Sequence, residues 1–300
     1  MSHPITDRPV VAGVDGSDRS LQGARLAAHE ARLRNAPLHL VHAMPWPLRG
    51  VLTPPPPGTD LHALLRGSAE AVLRGAAAGA GAVLGAERIT QSVVEGDPAE
   101  VLRAASADAQ LLVLGIRGVG GVAGLVVGST TTAVVTTAGC PVLVLPDDTS
   151  VTVSRRRSVV VGVEGRPGDE EVLAFAVAEA AVRATDLIAV HTWQDVRLEA
   201  AFETEGSLLD WGSVRDGEER VLAEALAGWR DEQPEVEIRE VVLRDRTAHG
   251  LLAASLTAEL LVVGHRPRHR LATLGSTTHG VLHRASCPLA VVPLTAEAGR

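Results

Sequence analysis

The sequence predicts an α/β protein made of two tandem doubly wound, Rossmann-like domains, each built around a parallel sheet. Three observations carry this prediction. Short apolar runs alternate with longer helical patterns along the whole chain. The second half repeats the first at a nearly constant offset. A glycine-bearing loop follows the fourth apolar run of each half, at the carboxyl end of a strand, where such sheets take their ligands.

In the first half, the runs near 9–14, 37–43, 89–94, 110–114 and 141–145 read as strands. They are continuously apolar rather than alternating, as expected when helices cover both faces of a sheet. Helices are expected over 19–35, 60–85, 97–107 and 129–138. The second half repeats the pattern, with strands near 158–163, 186–192, 236–243, 259–263 and 288–292. Strand–helix alternation of this kind implies right-handed crossovers.

The repeat is visible by eye. LLVLG at 111–115 returns as LLVVG at 260–264, and VVAGVDGS at 10–17 parallels VVVGVEGR at 159–166. GSTTTAVVTTAGCPVLVLP at 128–146 returns as GSTTHGVLHRASCPLAVVP at 275–293. Asp15 and Glu164, Val41 and Val190, and Gly115 and Gly264 are each 149 apart, whereas Gly128 and Gly275 are 147 apart. The second copy has therefore lost two residues between the last two landmarks. The polar stretch 147–157 reads as the linker, giving domains at 1–149 and 156–300.

Composition narrows the function. Three hundred residues suit two domains, and 46% hydrophobic with 21% charged residues exclude a mainly disordered chain. Two cysteines exclude a disulfide scaffold and any four-thiolate metal site. A net charge of −8, with two Phe, four Trp and no Tyr, argues against nucleic acid as a partner. All 28 basic residues are arginine, which removes Schiff-base chemistry and the P-loop lysine. The first residues lack a basic segment followed by an apolar one, so a cytoplasmic protein is expected. Residues 118–146 carry no charge, but glycines, a Ser-Thr run and Pro141 interrupt them. They read as a buried loop, helix and strand, with no membrane partner.

The loop Gly115-Ile116-Arg117-Gly118, followed after nine residues by Gly128-Ser129-Thr130, has the form G-x2-G-x9-G-S/T. Glycines let a backbone approach an anion closely. The N–H groups that open a helix at Ser129 and Thr130 favour negative charge. Arg117 could pair with a phosphate. The plain alternative is a flexible loop ending in a helix cap. Residues 118–123 also spell G-x-G-x-x-A, but no helix opens directly behind them and no acid follows at the ribose-binding distance. That match is taken as chance.

With VVAGVDGS at the first turn, LHLVHA at the second strand, the glycine loop and CPVLVLP as the last strand, the chain resembles the universal stress protein family in its tandem form. The resemblance covers nearly the whole chain. It implies an adenine nucleotide hydrolase-like fold that binds ATP with Mg2+ and pairs through its last strands. Such pairing would give a homodimer or an intramolecular pseudo-dimer. Carried over by motif position, Asp15 would contact the adenosine part and Val41 would hold the adenine through its backbone. Leu114, Gly115, Arg117 and Gly118 would line the ribose and phosphates, and Gly128, Ser129 and Thr130 would bind the phosphates.

The second half departs from the motif. Glu164 replaces the aspartate, and Pro267 stands where the second glycine should be, fixing φ and removing an N–H. Val190, Gly264, Arg266, Gly275, Ser276 and Thr277 remain as a possible second site. Either that site is degenerate or its arginines hold phosphate differently; weakened binding is the favoured reading.

Other features are read plainly. His279 and His283 are four apart without an evident third ligand, so a metal site is not expected. Cys140 and Cys287 hold equivalent positions and read as buried, inert thiols. Pro54–Pro57 would form a rigid loop near the cleft mouth. No nucleophile elbow, metalloprotease motif, Walker A or C-x-x-C occurs, and no general base for in-line hydrolysis stands out. What the family resemblance implies is an ATP-binding stress or signalling regulator, and no catalytic residues are expected. A nucleotide-free interaction scaffold and a slow ATPase are the alternatives.

Overall fold

The computed structural model describes residues 8–46, 58–118, 127–147, 158–193, 211–266 and 274–295. The chain divides into two compact units, with the main break between Thr152 and Val153.

The first unit runs β1 (Val10–Gly13), α1 (Asp18–Leu33), β2 (Leu38–Met44), α2 (Leu61–Leu84), β3 (Ile89–Glu95), α3 (Pro98–Ser106), β4 (Leu111–Gly115), α4 (Ser129–Thr137) and β5 (Val142–Leu145). Its strands lie in the order β3-β2-β1-β4-β5 and pair in parallel throughout. The reversal of winding at β1 and β4 opens a crevice beyond their carboxyl ends. The core is aliphatic: Val10, Ala12, Leu38, Leu40, Leu112, Val113 and Val144 are fully buried. Each such side chain contributes about 1.5–3 kcal/mol when taken out of water, Ala less.

The second unit repeats the plan with β6 (Ser158–Val163), α5 (Asp169–Arg183), β7 (Asp186–Trp193), α6 (Trp211–Ala225), α7 (Trp229–Glu232), β8 (Ile238–Arg244), α8 (Thr247–Ala254), β9 (Leu260–His265), α9 (Ser276–Leu282) and β10 (Leu289–Pro293). Its parallel order is β10-β9-β6-β7-β8.

Local chemistry sets the ends. Ser17 caps α1 by accepting the Ser20 N–H at 3.1 Å, and Asp97 caps α3, which opens on Pro98. The helical pattern of the sequence runs to residue 35, but α1 stops at Leu33 because Asn35 turns left-handed at φ 51°. Asn tolerates that conformation by hydrogen-bonding its own backbone. Ala184, 149 residues later, repeats it at φ 50°. The duplication even preserves an ion pair: Glu30 with Arg34 recurs as Glu179 with Arg183, both glutamates being buried.

Four features singled out in the sequence, the Pro54–Pro57 loop, most of the 118–123 glycine run, the linker from residue 148 to 157 and Pro267 of the second glycine loop, lie outside the described residues.

Candidate functional site

In the first unit, strand lengths make the opening. Gly13 is the last β1 residue paired with β2, opposite Val41, while β2 runs on to Met44. The chain then turns: Val14 donates its N–H to the Val41 carbonyl at 2.9 Å. That leaves a step in the sheet beside Asp15. A cleft of about 600 Å³ lies there, within the usual range for small-ligand pockets.

All nine residues picked from the sequence for the first half border this cleft. Asp15 and Val41 lie on the β1–β2 side, Leu114, Gly115, Arg117 and Gly118 come from β4 and its loop, and Gly128, Ser129 and Thr130 open α4. Several neighbours were not foreseen: Ser20, Ala43, Pro98, Leu102 and Thr131 also border it. Ser20 was legible as the third residue after the Ser17 cap. Leu102 and Pro98 carried no signal beyond the apolar face of α3.

Asp15 is held by its own turn. Its Oδ1 accepts from Ser17 N at 3.0 Å and Ser17 Oγ at 2.7 Å. Ser20 Oγ in turn lies 3.3 Å from Asp15 N and 3.2 Å from Gly16 N. Gly16 sits at φ +92°, which the sharp turn requires. Gly118 passes so near the Asp15 carboxylate that a Cβ there would run into it. A Cβ on Gly13 would lie 2.7 Å from Leu114 Cδ2. Both glycines therefore allow close approaches at the cleft wall.

Helix α4 begins at Gly128 with no side-chain cap. Thr131 Oγ1 donates to the Gly115 carbonyl at 3.0 Å and Thr132 Oγ1 to the Gly128 carbonyl at 3.0 Å, pinning the helix start to the end of β4. The positive end of the helix is thus fixed at the cleft wall. Arg117 supplies a full positive charge at the rim and pairs with Asp147.

His42 follows Val41 on β2. Burial pushes its imidazole below the usual histidine range, against the opposing effects of the Val14 backbone and the Asp15 charge. Among the described residues no group meets its buried Nδ1 with full hydrogen-bond geometry. The equivalent His191 is fully engaged: Nδ1 lies 2.9 Å from the Val163 carbonyl and Nε2 2.8 Å from Glu218 Oε2.

The second unit treats the same location differently. Asp169 stands at the position of Ser20, and its carboxylate takes the N–H groups of Glu164 at 3.2 Å, Gly165 at 2.6 Å and Arg166 at 3.0 Å. Glu164 itself is exposed, whereas Val190 is buried in β7. A Cβ on Gly264 would lie 2.9 Å from Val172 Cγ2 and 3.1 Å from Leu294 Cδ1. Arg266 donates to the Pro167 carbonyl, so its guanidinium folds back onto its own unit. Gly275 precedes α9 without a side-chain cap, and Ser276 and Thr277 open that helix.

At the ends of β7 and β8, Trp193 stacks on Trp211 with centroids 6.0 Å apart, and the Arg244 guanidinium lies 3.8 Å from the Trp211 ring centre. In the first unit the corresponding places hold His62 and Glu95, paired at 2.7 Å.

Cys140 and Cys287 are both buried, and burial pushes the Cys140 thiol up to about 12. Among the described residues no group of three or more His, Cys, Asp or Glu side chains is placed to hold a metal ion. No helix among them is long and apolar enough to cross a membrane.

Fold and site together define a tandem α/β protein of Rossmann-like type, with a glycine-walled cleft at the switch point of its first sheet. The universal stress protein family matches it twice, over residues 7–146 and 155–293, and the chain belongs to that family. Two universal stress proteins of Mycobacterium tuberculosis are similar over nearly their whole length. One is 36% identical over 298 residues, covering 97% of this chain and 99% of its own. The other is 35% identical over 300 residues, covering 97% and 98%. The crystal structure of a universal stress protein from Archaeoglobus fulgidus has the same fold, with a TM-score of 0.69 at 19% identity over 97% of both chains.

Proposed function

We propose that this chain is an ATP-binding universal stress protein that holds one nucleotide, in its first domain, and acts as a nucleotide-dependent regulator. The observation that carries the reading is the convergence of Asp15, Val41, the 115–118 loop and the uncapped start of α4 on one cleft of about 600 Å³. Adenosine would lie against Val41 and Asp15, and the phosphates against Gly128, Ser129 and Thr130. The Val41 carbonyl already accepts one hydrogen bond from Val14, so it has one lone pair left to offer the base.

The donor set suits a polyphosphate: backbone N–H groups, hydroxyls, a helix N-terminus and an arginine. Mg2+ would enter with the phosphates, which supply most of its ligands, with hydroxyls and water completing the shell. It would neutralise phosphate charge. Among the described residues that border the cleft no side chain stands out as a general base for in-line hydrolysis, so ATP would be bound as a signal rather than turned over quickly. Occupancy would bias the protein's conformation or partners by differential affinity.

In the second domain, Asp169 fills the turn with a carboxylate and Arg266 is folded back, which favours an altered site with weak or absent ATP binding. We further propose a cytoplasmic location and pairing through the last strands, as a homodimer or as an intramolecular pseudo-dimer.

The test is the nucleotide content of the purified protein, followed by calorimetric titration with Mg-ATP. The expected result is one ATP per chain, lost on changing Ser129 and Thr130 to bulky residues. Two per chain would overturn the assignment of the altered site. None, with no binding on titration, would leave an interaction scaffold.

A further inference from the structure

A carboxylate is paired with the arginine at the cleft rim. Asp147, two residues beyond the end of β5, directs its carboxylate at Arg117, which lines the cleft. Asp147 is also held from behind by Arg19: Nε lies 3.6 Å from Oδ1, and the guanidinium donates to the Asp147 carbonyl oxygen. Arg19 is fixed in turn by Gln22 Oε1 at 2.8 Å and by contact with Gly115, where a Cβ would lie 2.8 Å from Arg19 Cγ. The two arginines therefore play different parts. Arg19 has a side chain only 18% exposed and anchors the carboxylate, whereas Arg117 is 41% exposed and faces the site.

We propose that Asp147 is a built-in counter-ion that competes with ligand phosphate for Arg117, and so sets how many phosphate charges a nucleotide must bring. This rests on the nucleotide reading of the cleft. A guanidinium pairs equally well in geometry with a carboxylate or a phosphate. A ligand that recruits Arg117 must first replace Asp147. A triphosphate does so more readily than a monophosphate, because it carries more charge and more acceptor oxygens. Adenosine alone gains nothing from Arg117. When Arg117 leaves, Asp147 is not stranded, since Arg19 still neutralises it, so the exchange does not bury an unpaired charge.

The second unit shows the arrangement is separable from the fold. At the positions equivalent to Arg19 and Asp147 it has Gly168 and Leu294, and Arg266 donates to a backbone carbonyl instead. A similar fold therefore forms without the counter-ion.

The experiment is calorimetric titration of the full chain with adenosine, AMP, ADP, ATP and inorganic tripolyphosphate. It uses the wild type, Asp147→Asn, Asp147→Glu, Arg117→Gln and the Asp147→Asn/Arg117→Gln double variant. Asp147→Asn keeps the main-chain acceptor for Arg19. It is expected to tighten ATP by about tenfold, a usual size for coupling between two binding events, and to leave adenosine unchanged. The gain should shrink from ATP to AMP, vanish in the Arg117→Gln background, and be reversed by Asp147→Glu. An unchanged or weakened ATP affinity in Asp147→Asn overturns the proposal, as does an equal gain for adenosine or a gain that survives without Arg117. If no nucleoside compound binds but tripolyphosphate shows the same gain, the nucleotide reading fails and the counter-ion stands. If tripolyphosphate does not bind either, both fail. Circular dichroism of each variant guards against misfolding.

Discussion

The two halves share a sheet order and core but differ in what fills the turn after the first strand. In the first half Ser20 is a small neutral acceptor, and Asp15 is left to lean across to Gly118. In the second half the same place holds Asp169, whose carboxylate gathers three backbone N–H groups for itself. One copy closes the turn with a neutral hydroxyl beside its cleft, and the other closes it with a carboxylate, while the final helix of each opens after a glycine with no side-chain cap. After duplication, a fold tolerates such divergence at strand ends because the core that stabilises it lies elsewhere.

That comparison can be broken in several places. The largest effect should come from the shared core. Leu112→Ala and Leu261→Ala, at equivalent buried positions of β4 and β9, should each cost about 2–5 kcal/mol in denaturant unfolding. A large loss in one half only would show that the cores are not equivalent.

The next largest should come from the turn. Asp169→Ala removes an ionised acceptor of three N–H groups and should cost about 2 kcal/mol, against about 1 kcal/mol for Ser20→Ala. Equal losses would remove the distinction between the turns.

Gly118→Val tests the close approach to Asp15. It should weaken Mg-ATP by at least about tenfold, or about 1.4 kcal/mol. Gly275→Ala, whose Cβ would meet nothing within 4 Å among the described residues, should leave stoichiometry and affinity alone. Calorimetry reads both, and an unaffected Gly118→Val would mean the ligand does not need that wall.

The smallest effect is a matter of pH. Burial depresses the His42 pKa, so the unfolded chain binds its proton before the folded one does. Stability from this group is complete above the unfolded value near 6.5 and is lost as pH falls below it. Urea unfolding at pH 7.5 and 5.5 should show a smaller acid loss in His42→Gln than in the wild type. An identical acid loss would rule His42 out as a source.

Much of this was legible in the sequence. Strands and most helices were readable because continuous apolar runs have one stable home, a sheet covered on both faces. Of the nine first-half positions, Gly115, Arg117, Gly118, Gly128, Ser129 and Thr130 stood out through the loop motif and Asp15 through its place at the end of the first strand, whereas Val41 and Leu114 came only from the family resemblance. The helix limit at Leu33 was not, since the left-handed turn at Asn35 competes with a helical pattern that continues through it. Asp147 was missed because its meaning depends on Arg19, 128 residues away, and no local pattern joins them. The role of Asp169 was hidden for a related reason: an acid in the first turn of a helix looks like an ordinary dipole partner.

The paired cysteines have a practical consequence. Each half holds one buried thiol at the same structural position, just before its last strand. Neither reacts while its half stays closed, so the rate at which a thiol reagent labels each one is a clock for the opening of that half alone. Mass spectrometry resolves the two peptides. Adding ligand should slow one clock more than the other, and the ratio of the two rates reports how tightly the halves open together.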